Sequence, residues 1–248
     1  MPNQAKQAEM RAALIALLER GQAEEQAYRA ALSEAERNQV GTAEQWAPKE
    51  VVAHLALWKN KQLERVDAMA RGEELPEGGG WGQLNTETWP EHAQLTWDES
   101  VARSDQAMRD LIAGMQRLPL SALEGLDDPA SQASLLVSTT LGNGLGHVAE
   151  HVADYYRSRG QAERARRVQE DAVQAVVEAN LGPGQEASAR YNLACYYALH
   201  GLPVDAISEL GQAFAGRPDL IAWSREDHDL DSLRADPAFQ ALVPAEEA

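Results

Sequence analysis

His147-Val148-Ala149-Glu150-His151 decides how this chain is read, and it lies within a segment from about Thr139 to Arg159 that repeats at the helical period and stops at Gly160. Two histidines four residues apart on a helix stand ~40° apart around the axis and ~6 Å along it. Their imidazoles share one face and can share one metal ion, but two ligands rarely make a durable site. His54 offers a third, from a second strongly helical segment, with Trp46 before it and Trp58 after it. If the two helices pack together, three neutral imidazoles converge on one cation and leave positions open for water or substrate. That is the arrangement of a reactive metal site rather than a closed structural one.

Outward from the pentad, almost every segment is helical in pattern. Residues 4–37 are rich in Ala, Glu, Gln and Leu, with Leu14, Leu17, Leu18 and Tyr28 among the apolar positions. Pro48–Arg71 opens with proline at a plausible first helical position and carries Val51, Val52, Leu55, Trp58, Leu63 and Val66. A third helix runs from about Trp97 to Leu118, where Thr96 and Glu99 have the spacing of a capping box. No sustained alternation of period two occurs, so the expected fold is all-α: four long helices around a common core. Two gaps interrupt it. Gly72–Pro90, with its triple glycine, Trp81, Asn85 and Trp89, reads as a long ordered loop folding over something; Pro119–Gln132 reads as a polar crossover.

At 248 residues the chain can form one large core or two modest ones, and its net charge of −17 with no basic stripe excludes a nucleic-acid partner. Cys195, the single cysteine, has no partner for an internal disulfide and reads as a small buried apolar residue. No basic-then-apolar leader or ~18-residue apolar run occurs, so the expected location is cytoplasmic, with no membrane partner.

After Gly160 the composition changes. Residues 161–180 form an Ala- and Val-rich helix ended by Gly182-Pro183-Gly184. Beyond it, Leu193, Ala194 and Tyr197, then Ala206 and Ala213, then Pro218, resemble a tetratricopeptide repeat (TPR). One repeat is below the ~3 usually needed for stability, so it is expected to lean on the bundle or on a second copy of the chain. The division expected is a bundle over 1–160 and a TPR-like region with a terminal helix over 161–248.

The spacing Trp46-(seven residues)-His54-Leu55-(two residues)-Trp58, together with the pentad, resembles the DinB-like four-helix-bundle superfamily over roughly residues 1–160. That resemblance implies a divalent metal on one histidine of the second helix and an HxxxH pair of the fourth, here His54, His147 and His151. Gly72-Glu73-Glu74-Leu75-Pro76, Trp81, Asn85 and Gly142-Asn143 resemble the ClbS/DfsB-type branch, which includes toxin-resistance proteins. Other members of the wider superfamily resemble thiol-dependent transferases, in which the metal presents a thiolate to an electrophile. The pentad also fits the H-x-x-E-H pattern of inverted zinc proteases, but those need a further acidic ligand and a mixed sheet.

The ion expected is Zn²⁺ or Ni²⁺, since imidazole suits several late divalent metals. Glu150, three residues from His147, is the candidate orienter or general base. Trp81, Asn85 and Trp89 are candidates to wall a substrate pocket, with Asn85 hydrogen-bonding the substrate. Tyr28 and Tyr155 read as core, and His92 as a surface residue of a loop. The leading expectation is an enzyme activating water or a low-molecular-weight thiol against a small electrophile, as hydrolase or thiol transferase in detoxification or stress response. The alternatives are a sequestering module for a small molecule, or a TPR adaptor with a structural metal. A protein partner through the TPR-like region and a homodimer are both compatible with the pattern.

Overall fold

The computed structural model of the protein describes residues 2–76 and 81–244; Gly78, Gly79 and Gly80 lie outside them. No strand is present among the described residues, and the fold is all-α. The chain divides into two compact units, Met1–Ala165 and Arg166–Ala248.

The first unit is a four-helix bundle. Its helices are α1 (Pro2–Ala31), the single turn α2 (Glu34–Arg37), α3 (Pro48–Ala70), α4 (Trp81–Gln94), α5 (Trp97–Arg117), α6 (Gln132–Leu141) and α7 (His147–Ser158). α6 and α7 form one rod, joined by a π-helical turn over Gly142–Gly146, so the fourth helix begins at Gln132, capped by Ser131, well before the expected Thr139. α1 packs on α5 and on the α6–α7 rod, and α3 packs on the same two, which sets α1 and α3 across a diagonal. The reason lies in the side chains. α1 buries Met10, Leu14, Leu17, Gly21, Glu25 and Tyr28, spaced three or four apart, with Leu18 beside them, which is one stripe of a helix. α5 turns Ser100, Ser104, Ala107 and Gly114 inward beside Met108, Leu111 and Met115. Those small residues let α3 come close: a Cβ on Gly114 would stand 2.7 Å from Leu63 Cδ1 and 3.3 Å from Val66 Cγ1. Gly21 of α1 and Gly144 of the π turn meet in the same way, each with no room for a Cβ against the other's backbone or Leu18.

Local signals set the helix ends. Thr96 and Glu99 form the reciprocal cap expected of them, and Gly160 ends α7 at φ +71°, a conformation that costs a side chain but not glycine. The sequence reading fails for Gly72–Pro90. From Trp81 this stretch is helix α4, with Pro90 inside it, and α4 packs on α3. Lys49 of α3 donates to Ala93 O and Leu95 O at 2.8 and 2.9 Å, satisfying carbonyls at the end of α4 that a helix leaves orphaned.

The second unit is built on the hairpin of α9 (Pro183–Leu199) and α10 (Pro203–Gly216), which follows α8 (Ala162–Ala179). Short helices α11 (Leu220–Ser224) and α12 (Pro237–Leu242) flank a 3₁₀ helix at His228–Leu233 that packs on α9. Leu193, Ala194, Tyr197, Ala206 and Ala213 are all buried in this unit, and Arg190 ties the hairpin by pairing with Glu186 and Glu209. No helix among the described residues is long and apolar enough to cross a membrane.

Candidate metal centre

His54 lies in the second turn of α3, and the start of that helix holds its ring in place. Pro48 occupies the first turn, where a missing N–H is harmless. The Glu50 carboxylate accepts the Ala47 N–H at 2.7 Å and the Gly41 N–H at 2.9 Å, folding the preceding loop back on the helix. Trp46 Nε1 donates to Ala43 O at 3.1 Å, and its ring packs against His54 with centroids 4.5 Å apart. Trp58, one turn on, closes the other side at 6.1 Å, leaving His54 2 % exposed.

The π turn aims the other two imidazoles. Continued as a regular helix, the inward line of Ala133, Val137 and Thr140 would run through Gly144, His147 and His151. The wider turn advances the buried face by one residue, so Val148, Val152 and Tyr156 take the centre. His147 and His151, both half-buried, are left on the flank of α7.

Three nitrogens then meet. His147 Nε2 stands 3.0 Å from His54 Nε2 and 3.0 Å from His151 Nε2, and all three atoms lie within 4.8 Å of one another. One Nε2 carries either one hydrogen or one lone pair, so His147 cannot bond well to both neighbours. A cation takes all three lone pairs at once. Two nitrogens held ~2.0–2.1 Å from one such ion at angles of ~90–110° are separated by about 2.8–3.4 Å, so the residues fit the group.

Electrostatics support the neutral, ligating form. Burial, with repulsion from His147, His151 and His92, pushes His54 down to about 2. Burial, then His151 and Lys59, pushes His147 down to about 3, and burial alone pushes His151 down to about 4. The unfolded chain therefore binds more protons than the folded one between these values and the ordinary ~6.5 of histidine. Metal-free protein should hold this contribution in full above pH ~6.5 and lose it as the pH falls toward ~4. Melting temperature measured across that interval checks this, and a His54→Asn variant should show a shallower fall.

A buried polar network adjoins the triad. Lys59 of α3 donates to Glu25 of α1 and to Ser104 Oγ of α5 at 2.8 Å, and Ser104 donates to Glu25 Oε1 at 2.7 Å. Arg29 adds a contact to Glu25 at 3.7 Å and pairs with Asp105 at 2.8 Å. Lys59 and Glu25 are 0 % and 1 % exposed. Behind the π turn, Gln62 donates to Thr140 Oγ1 at 2.8 Å and accepts from Asn143 at 3.2 Å.

The remaining candidates are distributed unevenly. Glu150 is exposed on α7. Asn85 and Trp89 are half-buried on α4, a helix rather than a loop, and the side chain of Trp81 lies outside the described residues. His92 is not a surface loop residue: it is helical and 4 % exposed. Its signal was its i+7 spacing from Asn85, legible only once α4 is a helix. Tyr28 is buried at 2 % and its ring meets that of Tyr155 at 4.9 Å. In the second unit Cys195 is buried near Asp227 and Asp229, but Asp227 already caps the 3₁₀ helix and accepts from Tyr191 at 2.8 Å. Burial and those carboxylates push the Cys195 thiol up, away from thiolate.

The family model described as the DinB superfamily matches residues 9–157, the span that contains all three histidines. No curated protein and no solved structure matches the chain significantly.

Proposed function

Because this chain belongs to the DinB superfamily, which includes metal-binding enzymes, we propose that it is a divalent-metal-dependent enzyme acting on a small electrophilic substrate. His54, His147 and His151 hold Zn²⁺ or Ni²⁺, and the observation that supports this is the meeting of their three Nε2 atoms. When bound, the ion supplies the Lewis acidity that makes water or a small thiol nucleophilic at neutral pH, giving a hydrolase or a thiol transferase.

The chain's own residues do the rest. Trp46 and Trp58 hold the His54 ring and keep water from its flank. Lys59, paired with Glu25, stands close enough for its charge to act on His147. Glu150, exposed beside His147 on α7, is the carboxylate assigned to accept the nucleophile's proton. Asn85 and Trp89 bind the substrate. The likeness of Gly72–Pro76, Trp81, Asn85 and Gly142-Asn143 to the ClbS/DfsB-type branch supports reading the activity as one of detoxification or resistance. The α9–α10 hairpin, read as TPR-like, serves to recruit a protein partner or brace a homodimer.

The test is turnover by Zn²⁺- and Ni²⁺-loaded full-length protein. N-acetylcysteamine with 1-chloro-2,4-dinitrobenzene probes thiol transfer, and p-nitrophenyl acetate probes hydrolysis. Rates above background that vanish on chelation and return with metal are expected. No metal-dependent rate with either pair, and none across a wider panel of thiols and activated esters, would overturn the proposal.

A further inference from the structure

α4 carries three buried polar atoms with no hydrogen-bond partner: Asn85 Oδ1, Trp89 Nε1 and His92 Nδ1. Their spacing of i, i+4 and i+7 puts them on one face of the helix. α4 packs on α3, and His92 is close enough to His54 for its charge to act there. His54 Nδ1, on α3, is a fourth buried atom without a partner.

Helix packing does not call for this arrangement. An unpaired buried donor or acceptor bears its full desolvation cost, and apolar side chains at these three positions would dock α4 without it. The four atoms also differ in kind. Asn85 Oδ1 only accepts, Trp89 Nε1 only donates, and a neutral imidazole nitrogen does one or the other. The Asn85 amide and the Trp89 indole carry no charge at any pH. The charged groups around the seam are engaged: Lys49 with Ala93 O and Leu95 O, Glu50 with the Gly41 and Ala47 N–H groups, and Arg103 with Glu91. Among the described residues a ligand with net charge would find no free counter-ion here, whereas a neutral group offering both N–H and C=O would satisfy the helix face.

We propose that the seam between α4 and α3 is a binding site for a neutral, amide-bearing small molecule, held by Asn85, Trp89 and His92. His92 thereby becomes a specificity-determining residue. The assignment deepens the enzymatic reading and rests on it in one respect: the amide belongs to the substrate or thiol used at the neighbouring histidines. In the free protein the three atoms are closed off, so the ligand enters as α4 lifts from α3 and replaces missing hydrogen bonds with real ones.

The experiment is a titration of ¹⁵N-labelled full-length protein with N-methylacetamide, watching the tryptophan indole N–H resonances. The Trp89 signal is assigned by its loss in Trp89→Phe. A saturable shift of that resonance is expected in metal-free and in Zn²⁺-loaded protein alike, with acetate and methylammonium producing none. Asn85→Leu and His92→Phe should each weaken the apparent affinity at least about fivefold, the effect of losing one ordinary hydrogen bond. No saturable Trp89 shift in the parent protein, an equal shift with acetate, or undiminished affinity in both variants would overturn the proposal. Because the binding is read in metal-free protein, a failed metal centre leaves this result intact, and a failure here leaves the metal centre standing.

Discussion

His147→Ala is expected to strip the centre of metal while the bundle stays folded. His147 Nε2 is the vertex of the cluster, 3.0 Å from each of the other two, so its removal leaves two imidazoles with no nitrogen between them. Such a remnant should hold an ion at least about a hundredfold more weakly, since disturbing only the outer shell of a metal site already costs 10–100-fold. Elemental mass spectrometry on untagged protein should find near one equivalent per chain in the parent and less than about a tenth in the variant. Helix content should be unchanged, because His147 is half-buried and alanine is the best helix former. His54→Ala should give the same metal loss with a lower melting temperature, because it also leaves a cavity between Trp46 and Trp58. Parental stoichiometry in either variant would remove the triad from the account.

The second large effect concerns stability. Lys59→Met should destabilise the first unit by about 3–5 kcal/mol, because it leaves the Glu25 carboxylate buried without its main counter-charge. Ser104 would still donate to Glu25, and Arg29 would remain at 3.7 Å, but neither replaces the ammonium group. For a chain of this size the loss corresponds to a melting temperature lower by roughly 6–20 °C. The double variant Lys59→Met/Glu25→Leu should recover most of it, since a well-packed apolar pair often matches a buried ion pair. Chemical denaturation of the parent and the two variants, followed by circular dichroism, measures the loss and its recovery. A single variant as stable as the parent would mean that water or side-chain movement already solvates Glu25.

The legible parts of the fold share one property: their cause lies within a few residues. Thr96 and Glu99 cap α5 across three positions, Pro48 starts α3, and Gly160 ends α7 at positive φ. His147 and His151 share a face for the same reason, since the helix alone sets their separation. His54 was legible as a third candidate because its flanking tryptophans and its helix marked it, and it does meet the other two. The stretch from Gly72 to Pro90 misled because glycine and proline argue against helix locally. Docking on α3, with Lys49 closing the C-terminal carbonyls, outweighs that preference.

What the sequence determined by itself was the class of the fold, because periodicity records which side of each helix avoids water, and the three candidate imidazoles, through the HxxxH spacing and the tryptophans that flank His54. The tertiary structure alone decided the rest: the π turn that swings His147 and His151 to the flank of α7, the Lys59–Glu25 pair joined across 34 residues, and the stripe of unpartnered polar atoms on α4. Each depends on which two faces meet and at what register. That choice is made by close packing between elements far apart in the chain, and neighbouring residues carry no trace of it.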